Sequence, residues 1–206
     1  MRPGAAARWY ALGGIVGPIA FVAAWSSAGI TASHYSPIHD PISRLAEVGA
    51  PTRPLMTAGF VVFGIGLTLY AVALRAALPG SSWVTAAATG FATLGVAAAP
   101  LGQSDTGDTV HGVLAGAGYC TLALTPMLAA GPLRRAGRST LANLSLATGA
   151  LAGVALLTTT IADANGLFQR LGLTIVDVWI VATAAALLRG RLTPRRSAPG
   201  RGKLPG

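Results

Sequence analysis

Six long apolar runs separated by short polar connections make up most of this 206-residue chain. The runs cover roughly Trp9 to Ile30, Leu55 to Leu78, Trp83 to Leu101, Val110 to Ala130, Leu141 to Ala162 and Leu171 to Leu188. Each is close to the ~20 residues that a helix needs to cross a bilayer. The pattern predicts an all-α polytopic membrane protein, a six-transmembrane-helix bundle over residues 1–189. It is followed by a tail over 190–206 that mixes Pro, Gly and Arg without an apolar period, and the tail is expected to be disordered and held near anionic headgroups. A cleaved signal peptide is the alternative for the first run, but the run is long for one and the context around Ile30 to Ala32 is a poor cleavage site. No internal repeat is apparent.

Composition agrees with this pattern. Charged residues are only 10% of the chain against about a quarter in soluble domains, and the mean hydropathy is +0.60. The net charge of +9 would suit nucleic acid if it were clustered on a soluble surface, but it lies between and after apolar runs, so no nucleic-acid partner is expected. Twelve basic residues fall at one set of ends, including Arg75, Arg134, Arg135 and Arg138, and only Arg44, Arg53 and Arg170 at the other. By the positive-inside rule both termini are expected in the cytoplasm of a cell-membrane, multi-pass protein. All six acids and the three histidines lie toward the opposite side. The single cysteine, Cys120, allows neither a disulfide framework nor a Cys-based zinc site.

That outer side holds the candidate chemistry. Pro37 and Pro41 bias Ser36 and Asp40 away from helix, bending the first loop where His34 and His39 sit. Ser43 is read as capping a short helix over Arg44 to Val48 that Gly49 ends, ahead of any role as a nucleophile with His39 or His111 as base. Asp105 and Asp108 precede the fourth run, where negative charge at a helix N-terminus contributes about 0.3–1 kcal/mol, and Asp105 or Thr109 is a candidate N-cap. Asp163 and Arg170 read as an ion pair. Alternatively Arg170 faces the mouth and holds a phosphate or carboxylate headgroup. Asp177 lies roughly 9 Å into the sixth run at 1.5 Å per residue, where an ionisable group is costly and marks a candidate site. An interhelical hydrogen bond to Thr121 or Asn143 is the structural alternative. No metal is expected. The candidate ligands are His34, His39 and His111 with the acids Asp40, Asp105 and Asp108, a workable imidazole–carboxylate set whose spacing fits no zinc motif.

Three stretches together resemble a known family. HYSPIHDPISRLAEVGAPTRPLMTAGFVVFG, from His34, resembles the outer loop and Gly-rich second helix of the DUF998 family of small bacterial integral membrane proteins. DTGDTVHG (Asp105 to Gly112) resembles that family's acidic segment running into His-Gly. GLFQRLGLTIVDVW (Gly166 to Trp179) resembles its G-L-x-Q-R followed by Trp. Pro100-Leu-Gly lacks the cysteine of the family's Pro-Cys segment, so no thiol role follows there. The family has no assigned function, so the resemblance implies a membrane protein and no particular reaction.

The functional expectation is a membrane-embedded enzyme doing acid/base chemistry on a hydrophobic small molecule, a lipid or isoprenoid that enters from the bilayer. Proton-initiated terpenoid cyclisation is one example, and it needs no cofactor. Asp177, Asp105, His111 and Asp163 are the acid/base candidates. Arg170, Gln169, Trp179, Tyr119, Trp25, His39, Asp40 and Ser43 are the substrate-binding candidates, with aromatic rings available to stabilise a cation. The alternatives are a metal-assisted lipid hydrolase, a non-catalytic partner or sensor subunit of another membrane protein, and a small transporter with Asp177 as its proton or cation site.

Overall fold

A computed structural model describes residues 9–192, so Arg2, Arg8 and the tail from 193 onward lie outside the described residues. Within this range the structure is all-helical. A 3-10 turn at Tyr10–Leu12 runs into α1 (Gly13–Thr31). There follow α2 (Arg53–Ala77), α3 (Ser82–Ala98), α4 (Asp105–Arg135), α5 (Ser139–Thr158) and α6 (Asn165–Leu188). Five of these helices are long and apolar enough to cross a membrane. The 17-residue α3 is apolar but shorter, so the expected count of six spans reduces to five candidates and one short helix.

Each helix packs on its sequence neighbours, and α6 returns to pack on α1, closing the bundle into a ring. At one end Val48 N–H donates to the Leu101 carbonyl (2.9 Å) and Leu167 N–H to the Ile38 carbonyl (3.0 Å), so the first loop joins the α3–α4 and α5–α6 connections. Asp40, Glu47, Asp105, Asp108 and Asp163 all belong to this acidic end. The other end carries Arg75, whose guanidinium stacks on Trp83 at 4.7 Å, and Arg138, which donates to the Arg191 carbonyl.

Two helix boundaries move the candidate residues. α4 begins at Asp105 with Ser104 as its N-cap, the Ser104 Oγ accepting from Gly107 N–H (3.1 Å); Asp105 and Asp108 occupy the first turn and neither Asp105 nor Thr109 caps it. α6 begins at Asn165 rather than Leu171, which puts Asp177 roughly 18 Å from the helix start at ~1.5 Å per residue, near mid-span rather than at the expected 9 Å.

Lipid supplies no hydrophobic drive between helices, so close backbone approach and interhelical hydrogen bonds must hold them together. A Cβ added at Gly66 in α2 would lie 2.6 Å from the Gly13 carbonyl oxygen and 2.9 Å from the Gly17 Cα, so α1 and α2 touch backbone to backbone. Threonine pairs join α3 to α4, with Thr125 donating to Thr85 (2.9 Å) and Thr89 bonded to Thr121 (2.8 Å). Tyr70 and Thr183 bond α2 to α6 (2.7 Å), and Trp179 Nε1–H donates to Ser145 Oγ (2.9 Å), bonding α6 to α5.

Gly66→Leu should force α1 off α2 and lower the melting temperature of the detergent-solubilised protein by several degrees or abolish the folded fraction, because overpacking costs about 1–3 kcal/mol or more. Gly112→Ala, where an added Cβ meets nothing within 4 Å, should hold or raise it. Equal melting temperatures for Gly66→Leu and the wild type would refute this account of the contact.

Candidate functional site

The first loop folds around Arg170. This side chain, 8% exposed, reaches from the second turn of α6 and donates through Nη1 to the carbonyls of Pro37 (2.8 Å), Asp40 (3.1 Å) and Gly166 (2.9 Å), and through Nη2 to the Tyr35 hydroxyl. Its Cζ lies 5.3 Å from the Trp25 ring centroid and 5.5 Å from that of Tyr35. A guanidinium is weakly hydrated and planar, so carbonyl dipoles in its plane and ring faces above it can replace water. The expected Asp163–Arg170 ion pair is therefore absent. Asp163 is exposed, and its backbone carbonyl bonds His39 Nδ1 (3.1 Å). The Nη groups of Arg170 are turned inward onto the loop, away from any headgroup at the mouth.

Gln169 ties the same loop to α4. Its Oε1 accepts from Ile42 N–H (2.7 Å), and its Nε2 donates to the Tyr119 hydroxyl. Ser43 does not cap a helix. It lies inside a 3-10 turn, Ile42–Ala46, and is buried. Asp40 Oδ2 accepts from Ser36 N–H (2.7 Å) and Oδ1 from Arg44 (2.6 Å). The Ser36 hydrogen bond, with Arg44 beside it, holds the Asp40 carboxyl below its ordinary range, whereas burial pushes the Tyr35 phenol up against the opposing pull of Arg170. Above this layer is a polar cleft of about 320 Å³ lined by His34, Tyr35, Arg44, Glu47 and Thr52 among others.

Beneath the layer lies a partly open cavity of about 50 Å³. Its roof is Ile42, Ser43, Tyr119 and Gln169. Its walls are Phe21 from α1, Phe60 and Phe63 from α2, Thr89, Thr93 and Val96 from α3, Leu114, Ala115, Gly118 and Leu122 from α4, and Leu173 from α6. Phe21 packs on Phe63 at 4.9 Å and on Phe60 at 5.7 Å. The cavity is apolar apart from Ser43, Tyr119 and Gln169 at the roof and two threonines on one wall.

Of the twelve site candidates, Ser43, Tyr119 and Gln169 line this cavity. Trp25, His39 and Asp40 serve the layer above it, and Trp179 is bonded to Ser145. The four acid/base candidates do not share a hollow. Asp105 and Asp163 are exposed at the acidic end. His111, 4% exposed, bonds the Ala99 carbonyl through Nδ1 (2.7 Å), and its buried Nε2 has no partner. Asp177, 3% exposed, has no hydrogen-bond partner on either carboxyl oxygen. Thr121 and Asn143, its expected partners, bond instead to Thr89 and Arg134. His34, His39 and His111 stand apart, and among the described residues no three His, Cys, Asp or Glu side chains are grouped to hold a metal ion. Sequence reasoning missed the threonines of the wall, although Thr85, Thr89 and Thr93 recur at four-residue spacing opposite Thr121 and Thr125.

The three sequence stretches that resembled one family meet at this place. HYSPIHDPIS docks on GLFQR through Arg170 and Gln169, and a Cβ at Gly166 would collide with the loop carbonyls of Pro37 and Asp40. DTGDTVHG fastens the α3–α4 turn, with Asp108 accepting from Gly102 N–H (2.9 Å) and His111 reaching Ala99. No curated protein and no solved structure matches the chain. A family described as "Protein of unknown function (DUF998)" matches residues 15–186, from the first turn of α1 to the last turn of α6, so the chain belongs to the DUF998 family.

Proposed function

We propose that this protein binds an apolar small molecule of the bilayer, a lipid or isoprenoid, by taking the end of its chain into the partly open cavity beneath the first loop. The observation that carries this reading is the cavity lining, apolar on nearly every side with its roof polar groups, Tyr119 and Gln169, already bonded to each other. Such a lining rejects water and admits hydrocarbon, while the hydroxyls of Tyr119 and Ser43 orient one oxygen-bearing group. With the basic end in the cytoplasm, the cavity and its roof belong to the outer half of the membrane.

Size and placement favour binding over turnover. A water needs about 10–15 Å³ of such space, so a 50 Å³ cavity suits a chain end or a small branched group, not a folded polyene. Acid/base catalysis requires acid and base at the same reacting atoms. Asp105 and Asp163 are exposed at the rim, and Asp177 stands near mid-span, so the four candidates do not supply such a pair.

Ala115→Leu should fill the cavity and cut the amount of copurifying lipid or isoprenoid, measured by mass spectrometry of the detergent-extracted protein, at least fivefold while leaving the helical circular dichroism unchanged. Retention of the same bound species would remove the cavity from consideration. Arg170→Lys keeps the charge but loses the planar fork, so the roof should loosen. The expected outcome is faster amide exchange across 35–46 and at least a threefold loss of the same copurifying species, and unchanged exchange there would show that Arg170 does not hold the loop.

A further inference from the structure

The polar roof of the cavity has hydrogen-bonding capacity left over, and its sign can be read from the bonds already made. Ile42 N–H can only donate, so the Gln169 oxygen that receives it (2.7 Å) fixes which way the carboxamide faces. Nε2 then donates to the Tyr119 hydroxyl oxygen, which must accept. The phenol proton of Tyr119 is left without an acceptor among the described residues, and Gln169 keeps a second N–H.

Ser43 adds a further donor. It is buried at the roof, one residue from Ile42, and its Oγ makes no hydrogen bond among the described residues. A serine in a tight turn often donates to a carbonyl three or four residues back. Here the Asp40 carbonyl already receives Arg170 (3.1 Å) and Tyr35 (3.4 Å), so that acceptor is taken. The wall contributes no more donors, because Thr93 Oγ donates to the Thr89 carbonyl (2.9 Å) and Thr89 Oγ to the Thr85 carbonyl (3.0 Å). No charged side chain is among the lining residues, so the group that enters is neutral.

Donors left over at the roof of an apolar hollow require an acceptor that brings no proton of its own. A carbonyl oxygen has two lone pairs and can receive two of these donors at once. An alcohol adds one more donor to a roof already in surplus, and a plain hydrocarbon leaves every one of them unmet, which is costly where water is excluded.

Resting on the cavity reading above, we infer that the chain end taken into the cavity carries a carbonyl, as a ketone or an aldehyde, and that the hydroxyls of Tyr119 and Ser43 donate to its oxygen. An acetyl or formyl end is of the size that a 50 Å³ cavity admits, and the rest of the chain stays in the bilayer. Ser43, whose hydroxyl bonds nothing in the fold, is the residue that selects for the carbonyl.

The test compares methyl nonyl ketone with methyl nonyl carbinol, the alcohol of the same skeleton, by saturable binding of the radiolabelled compounds to protein in lipid nanodiscs corrected against empty discs. The wild type should bind the ketone at least fivefold more tightly than the alcohol, and the carbonyl stretching band of the bound ketone should lie at lower frequency than in empty discs. Ser43→Ala should bring the two affinities within about twofold without changing the melting temperature, since the hydroxyl it removes holds no bond. Tyr119→Phe should weaken the ketone in the same direction. Equal affinities in the wild type, an unshifted carbonyl band, or a preference that survives both substitutions would overturn the carbonyl ligand and leave the cavity reading standing. The cavity reading falls separately if neither compound binds saturably or if Ala115→Leu leaves both affinities unchanged.

Discussion

A guanidinium withdrawn from water inside an apolar bundle is the constraint around which the acidic end is built. Withdrawing such a charge costs several kcal/mol unless polar groups replace its hydration, and the usual partner would be a carboxylate. None is used here. Arg170 is solvated by three backbone carbonyls, one phenol oxygen and two ring faces. Those carbonyls can stand at the right places only if the loop doubles back over α6, so satisfying one side chain determines the path of residues 35–42. Pro37 and Pro41 assist by removing helical alternatives for the residues before them. Gly166 assists because any side chain there would occupy the space the loop needs.

With the loop so placed, the cavity beneath it follows from what the helices can and cannot fill. Toward the basic end α1 and α2 meet at Gly13, Gly17 and Gly66, and at mid-helix α2 and α3 meet at Gly64 and Gly90, where backbones touch and no space is left. Toward the acidic end the facing residues are Phe21, Phe60 and Phe63, whose rings hold the helices apart. Small residues on α4, Ala115 and Gly118, do not extend far enough to fill the gap. Gln169 then seals the top by bonding the loop backbone on one side and Tyr119 on the other. The polar roof on an apolar hollow results from one glutamine satisfying both, beside Ser43.

The legible part of this structure was its hydropathy. A helix in lipid must be continuous and apolar for its whole length, so the positions of α1, α2, α4 and α5 can be read within a few residues of each end that faces no special chemistry. Reading failed where polar residues are buried rather than solvated. Gln169 and Arg170 resemble loop residues, so α6 seemed to begin at Leu171; in fact the helix carries both into the interior because partners from 130 positions away receive them. The same error placed Asp177 at half its true depth. Asp163 was paired with Arg170 on proximity in sequence, yet the competing carbonyls come from a loop no local rule connects to α6. Ser43 has the composition of an N-cap, but the turn it joins is a 3-10 turn that starts one residue earlier. The family motifs, by contrast, were informative beyond their individual residues, since the first and third stretches are bonded to each other and the second fastens the α3–α4 turn at the same end.

Two buried ionisable groups on one helix meet the cost of burial differently. Arg170 and Asp177 are seven residues apart in α6, both under a tenth exposed. At that spacing they could in principle approach as an ion pair, which would leave both satisfied and the helix inert. Instead the Nη groups of Arg170 turn toward the loop, where carbonyls are available, while its Nε and both carboxyl oxygens of Asp177 stay without a hydrogen-bond partner. Had the bundle needed only structural polarity at mid-span, an asparagine bonded across helices, or simply another leucine, would cost less than a carboxyl. A mid-span carboxyl with neither oxygen hydrogen-bonded is therefore a group whose burial nothing in the surrounding helices offsets.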